Sequence, residues 1–237
     1  GVDDLCDMPY TSGTTGAPKG CVHTHRSVMH TAVAGPEWCM TPKDSVVLAS
    51  LPMFHVTGMQ NGVNTPVYRG NTTVVMTRWD KRCAAMLLAR HRVNAWTAIP
   101  TMLFDFLNQD LDSIEVSSLN MLTGGGAAMP RAVAERIRAL WGIDYVEGYG
   151  LSETMAPTHL NPVHAPKAQC LGIPIFDTRA RVVDPDSLRE LPPGEVGEIL
   201  VHGPQVFLGY HGDPAATAQA FVELDGQGWF PTGGLAH

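Results

Sequence analysis

Between Ser45 and Glu147 the chain alternates short apolar runs with stretches of helical spacing, and this alternation constrains its fold more than any other feature. The runs Ser45–Ser50, Thr72–Met76, Ala95–Ile99, Leu119–Leu122 and Asp144–Glu147 have the length and β-branched content of buried strands. Ser27–Val33, Asp80–Arg92, Thr101–Gln109 and Pro130–Trp141 read as helices. Pro100 stands just before the third, and Pro130 is placed at the first position of the last, where a missing N–H costs nothing. Strands separated by helices of this length imply an α/β fold around a largely parallel sheet. After about Pro166 the pattern changes. Arg179–Val183 and Glu195–Val201 read as strands on either side of the turn Leu191-Pro-Pro-Gly194, and a helix over Pro214–Phe221 takes Asp213 as its N-cap. The tail from about residue 166 is therefore expected to be a smaller β-rich unit beside the α/β region.

Composition removes several function classes. With 44% hydrophobic and 16% charged residues the chain is expected to fold around a core, and a formal charge of -7 offers no general attraction to nucleic acid. A phosphate-bearing ligand would need a local site. The five cysteines are scattered and never form a CxxC pair, which reads as reduced thiols of a cytoplasmic protein. No run approaches the roughly 18 apolar residues of a transmembrane helix.

The strongest local signal is Tyr10-Thr-Ser-Gly-Thr-Thr-Gly-Ala-Pro-Lys-Gly20. Backbone N–H groups exposed by glycines, several hydroxyls and one lysine can wrap polyphosphate oxygens. It is not a Walker loop, because Lys19 is followed by Gly20 and no hydroxyl is placed to hold magnesium as in that motif. Taken by itself the segment has a second, less favoured reading as a flexible polar linker. Further along, Leu51-Pro-Met-Phe-His55, Gly124-Gly-Gly-Ala127, Tyr149-Gly-Leu-Ser-Glu153, Gly194-Glu-Val-Gly-Glu198 and Gly228-Trp-Phe-Pro-Thr-Gly233 follow in order. On residues alone, Tyr149 could be a core aromatic, Glu153 a surface charge and His55 a structural histidine. His23, His25 and His30 have no carboxylate or cysteine context for a metal, so packing or solvation suits them better.

In that order and spacing the motifs closely resemble the acyl-CoA synthetase, adenylation-domain and luciferase superfamily. The resemblance covers essentially the whole chain, and it implies 1–45 as the end of a first α/β subdomain, 46–165 as a second, and 166–237 as a smaller, β-barrel-like subdomain. It implies that Thr11, Ser12, Gly13, Thr14, Thr15, Gly16 and Lys19 hold the β- and γ-phosphates of ATP, and that Tyr149, followed by Gly150, stacks on adenine. Gly124, Gly125, Gly126 and Ala127 would pass along the base and the acyl group. Ser152 stands where the family usually has threonine, Glu153 would position Mg²⁺, and His55 would line the route between carboxylate and thiol sites. Lys19, Glu153 and His55 are thus the implied catalytic set. The implied reaction activates a small-molecule carboxylate, more in keeping with a fatty or other apolar acid, and passes the acyl group to coenzyme A. Amino- or aryl-acid adenylation and a non-catalytic nucleotide-binding fragment remain the alternatives.

One position departs from the pattern. Gly234 stands where the family presents an aspartate to the ribose hydroxyls, so Gly234→Asp is expected to tighten ATP binding. The arrival of the phosphate-type loop within a dozen residues of Gly1 implies a fragment of a longer protein. In the family a C-terminal domain supplies a lysine to the forming adenylate, so these 237 residues alone are expected to make little acyl-CoA.

Overall fold

The α-helices begin where the sequence supplies a cap or a proline, and β-branched residues concentrate in strands such as Val46–Ala49, Thr72–Val75 and Arg179–Val183. The computed structural model describes residues 1–12, 16–110 and 114–236. In chain order it holds β1 (Leu5–Asp7), β2 (Cys21–Thr24), α1 (His25–Trp38), β3 (Val46–Ala49), α2 (Val56–Met59), a π-helical turn (Gln60–Asn64), α3 (Thr65–Arg69) and β4 (Thr72–Val75). Then come α4 (Lys81–Arg90), β5 (Ala95–Thr97), α5 (Pro100–Leu107), β6 (Met121–Gly125), α6 (Arg131–Trp141) and β7 (Tyr145–Tyr149). A 3₁₀ turn (Ser152–Thr154) leads to β8 (His159–Leu160), β9 (Ile173–Pro174), β10 (Arg179–Val183), β11 (Gly197–His202), β12 (Gly209–Tyr210), α7 (Pro214–Gln219), β13 (Val222–Leu224) and β14 (Gln227–Ala236).

The caps explain the boundaries. Thr24 and Ser27 form a reciprocal capping box at the start of α1, which therefore begins before Ser27 and runs past Val33 to Trp38. Asp80 accepts from Cys83 N at 2.7 Å and Asp213 from Ala216 N at 2.8 Å, as their N-cap positions require. Pro130 lies outside α6 as its N-cap residue, whereas Pro100 is the first residue of α5. Strand β11 starts at Gly197 because Glu195 is held in the preceding turn by Pro192 O.

The principal sheet has the order β4-β3-β5-β6-β7-β8-β9, parallel from β4 to β7 and antiparallel beyond. The chain is thus an α/β fold. One face of this sheet carries the main core, in which Leu48, Trp96 and Leu122 meet Leu88 of α4, Leu103 and Phe106 of α5 and Ile137 of α6. The opposite side receives α1 and the π-helical turn, tied together by Gln60 Nε2, which donates to Val28 O at 2.9 Å and Thr31 Oγ1 at 2.7 Å. Strands β10-β11-β14-β13 form an antiparallel sheet, and β12 joins β1 and β2 in a third. That third sheet pairs residues from the two ends of the sequence, Tyr210 opposite Cys21.

Candidate functional site

The segment around Tyr10–Gly20 is closed at its base like a clasp. Tyr10 bridges Gly20, Thr11 N donates to Lys19 O at 2.9 Å, and Lys19 N donates to Thr11 Oγ1 at 3.0 Å. Thr11 therefore spends its hydroxyl on the loop itself. Ser12, Gly16 and Lys19 are exposed, while Gly13, Thr14 and Thr15 lie outside the described residues.

Lys19 Nζ sits 4.8 Å from the ring centroid of Tyr210, and the Tyr210 hydroxyl donates to Glu153 Oε1 at 2.9 Å. The structure thus brings Lys19 and Glu153 to the two sides of one tyrosine, although they are far apart in sequence. Glu153, only 9% exposed, lies on the 3₁₀ turn that follows β7. Phe207 N donates to Glu153 O at 2.8 Å, and His23 Nε2 donates to Ser152 O at 2.8 Å. His23 is fully buried, and burial lowers its pKa, which keeps the imidazole neutral with its proton on the nitrogen facing that carbonyl. It has a packing and positioning role. His25, by contrast, begins α1 and is exposed.

A second group surrounds a cavity of about 180 Å³ that lies over β5 and β6 and reaches the C-terminal ends of β6 and β7. In open α/β sheets ligands bind at these carboxyl ends. His55, Gly124, Gly125, Gly126, Tyr149 and Gly150 all line it, whereas Ala127 is exposed on the loop beyond and does not. Gly124 has a steric reason to be glycine, because a Cβ there would lie 2.0 Å from Ala98 O. His55 stands exposed at the cavity rim and caps α2 by accepting from Thr57 N at 3.2 Å, and the partial desolvation of its ring lowers its pKa. Thr97 and Thr123 hydroxyls meet at 3.0 Å on the cavity wall. Among the described lining residues none is charged.

Tyr149 links the cavity to β14. A Cβ on Gly234 would lie 2.5 Å from the Tyr149 hydroxyl and 3.3 Å from Thr232 Oγ1. The tyrosine hydroxyl thus fills the space where a side chain at 234 would begin. This corrects the simple expectation for Gly234→Asp, because an aspartate must first displace Tyr149. Burial raises the Tyr149 pKa, with a hydrogen bond involving Thr232 acting the other way, so the phenol stays protonated.

On the other edge of Tyr149, His159 packs at 6.1 Å and is 6% exposed. Desolvation pushes its pKa from 6.5 down to about 4. The unfolded chain therefore binds a proton near pH 6.5 that the folded chain refuses until about pH 4. Above pH 6.5 this group contributes no pH dependence, and stability falls as pH drops through the window, by about 3 kcal/mol in all. Urea midpoints measured from pH 7 to pH 4 should fall less steeply in His159→Gln than in the parent. Parallel slopes would show that His159 protonates as readily folded as unfolded.

Three residues of this region carried no recognised signal in the sequence. Tyr210 sits on a two-residue strand with no periodicity to flag it. Glu147 lies inside an apolar strand, yet its carboxylate accepts from Met129 N at 2.7 Å and from Gln169 N, which ties the loop after β6 to the segment before β9. His23 could have been suspected only from Ser27 four residues on, whose Oγ lies 3.1 Å from its Nδ1.

Comparison with known proteins gives this geometry a family. A long-chain-fatty-acid–CoA ligase of Escherichia coli O6:H1 is 34% identical over 242 residues, which take in 99% of this chain and 42% of the relative. A feruloyl-CoA synthase of an Amycolatopsis species is 34% identical over 240 residues, covering all of this chain and 48% of that one. The crystal structure of ATP-bound MatB from Rhodopseudomonas palustris superposes with a TM-score of 0.91 at 28% identity, over 99% of this chain and 46% of that protein. The chain thus spans less than half the length of each of these proteins. The family model described as "AMP-binding enzyme" matches residues 1–211 of the 237. On the strength of that match the chain belongs to the AMP-binding enzyme family.

Proposed function

We propose that the protein containing this chain is an acid–thiol ligase that activates a carboxylic acid with ATP and transfers the acyl group to coenzyme A. In the first half-reaction a carboxylate oxygen attacks the α-phosphorus of ATP and pyrophosphate leaves. In the second the thiol sulfur attacks the acyl carbonyl and AMP leaves. The observation that carries this reading is the short segment Gly148–Glu153. Its first three residues line the uncharged cavity, and its last supplies a buried carboxylate bonded to Tyr210, the same tyrosine whose ring meets Lys19.

The donor set fits a magnesium–nucleotide complex. Glu153 offers the oxygen that a hard divalent cation prefers, and Lys19 offers a mobile cation for phosphate oxygens. When bound, the metal screens phosphate charge. The chain's own contributions are binding and orientation. Thr11, Ser12, Gly13, Thr14, Thr15, Gly16 and Lys19 form the phosphate loop, Tyr149 with Gly150 stacks on the base, and Ser152 offers a hydroxyl beside it. His55 stands at the cavity rim between the acid and thiol routes.

The acid we infer has an uncharged body, fatty or aryl. An amino acid would bring an ammonium into a wall that shows no carboxylate among its described residues, and a buried unpaired charge is costly. The same argument disfavours a second carboxylate. The test is carboxylate-dependent exchange of labelled pyrophosphate into ATP by the full-length protein, with fatty, aryl and amino acids compared. Exchange with the uncharged acids is expected. No exchange with any acid would leave only nucleotide binding, and exchange confined to amino acids would overturn the substrate class.

A further inference from the structure

We propose that Tyr210 is a positioning residue that fixes the metal-side carboxylate Glu153 and seats Lys19 of the phosphate loop on the same ring, an inference that rests on the nucleotide reading above. The resemblance that assigned Lys19 and Glu153 carried no role for this tyrosine.

Tyr210 is itself held firmly. Strand β12 pairs with β2, placing Gly209 opposite Val22 and Tyr210 opposite Cys21, so the ring is delivered two residues beyond Lys19 on the neighbouring strand. Tyr210 N donates to Thr217 Oγ1 at 2.9 Å, and that hydroxyl donates to Asp213 O at 2.8 Å. Phe207 packs edge-on against the ring at a centroid distance of 4.9 Å. With backbone and ring both anchored, the phenol oxygen has a defined place, 2.9 Å from Glu153 Oε1.

The chemistry follows from those contacts. A buried carboxylate without a donor would be costly and free to rotate, and a hydrogen bond to one oxygen sets the plane of the group. The ring face meanwhile attracts the Lys19 ammonium, which limits the volume that this long side chain explores. One residue thereby orients the groups assigned to the metal and to the phosphates.

Tyr210→Phe separates these contacts, because it keeps the ring and removes only the donor. Calorimetry on the 237-residue chain, with ATP in excess Mg²⁺ and with ATP in EDTA, reads them apart. Tyr210→Phe is expected to weaken Mg·ATP binding about tenfold, as for loss of one hydrogen bond to a charged acceptor, and to change ATP binding in EDTA less than about twofold. Tyr210→Leu, which loses ring and donor, should weaken both. On a Glu153→Gln background, Tyr210→Phe should add little further metal-specific loss, since the tyrosine acts through that carboxylate. Melting curves check the fold of each variant. Should Tyr210→Phe not fold, the same titrations on Tyr210→His, whose ring ends short of the phenol oxygen's place, carry the test. Equal losses with and without Mg²⁺, no loss in Tyr210→Phe, or full additivity with Glu153→Gln would each overturn the positioning role. Failure of the parent chain to bind Mg·ATP at all would instead overturn the nucleotide reading on which it rests.

Discussion

Gly234→Asp introduced alone should leave ATP affinity within about threefold of the parent chain or lower it, despite adding a carboxylate that could accept from the ribose hydroxyls. The Tyr149 hydroxyl lies 2.5 Å from where the new Cβ would stand, too close for any real contact, and the ring carbon behind it lies at 3.3 Å. The tyrosine must swing aside, and Tyr149 is the residue we assign to the base. Removing the hydroxyl relieves the closer of those contacts. On a Tyr149→Phe background, Gly234→Asp should therefore tighten ATP by about tenfold or more, the value of one net hydrogen bond to a charged acceptor at about 1.5–3 kcal/mol. Calorimetry with ATP and 2′-deoxy-ATP on the four members of the cycle decides it. The gain should shrink for the deoxy nucleotide. A gain in the single variant as large as that in the double one would show that Tyr149 does not obstruct position 234.

Trp96→Ala should cost about 3–5 kcal/mol of stability, the range for truncating a buried aromatic. Trp96 is 1% exposed at the centre of the main core, stacked on Trp79 at 6.1 Å and edge-on to Phe106 at 5.4 Å. Its indole N–H donates to Ser50 Oγ at 2.9 Å, so truncation also strips a buried hydroxyl of its donor. Trp96→Phe keeps most of the packing and should cost clearly less. Phe54→Ala, at an 88% exposed position, should fall within about 0.5 kcal/mol of the parent. Urea unfolding of the three variants measures the difference. A loss below about 1.5 kcal/mol for Trp96→Ala would mean that the sheet face is not packed as described.

The α/β class could be read from the sequence because the interior parallel strands β3 and β5 are largely buried. Such strands appear as continuous apolar runs, and β3, β4 and β5 fall inside the runs identified. Strand ends were harder. β6 and β7 extend into Gly124-Gly125 and Gly148-Tyr149, where glycine gives no periodic signal but neighbouring backbone still pairs. The helical stretch from Val56 to Arg69 was not anticipated at all. Gly58, Gly62 and Pro66 erase its local propensity, and it is held by long-range bonds such as Thr65 Oγ1 to Ala32 O at 3.2 Å.

The site divides along the same line. Motif order alone singled out Lys19, Tyr149, Glu153 and the glycines of β6 as candidates, and the fold places Tyr149 and those glycines on one cavity and Lys19 and Glu153 on one tyrosine. Sequence could not show that the tyrosine between Lys19 and Glu153 comes from residue 210, or that the hydroxyl of Tyr149 occupies the space left by Gly234. Both depend on contacts between segments that are remote in the chain, fixed by the pairing of β12 with β2 and by the close approach of Tyr149 to β14. Local residue types set what each segment can bind. Only packing in three dimensions decides which distant side chain holds it in place.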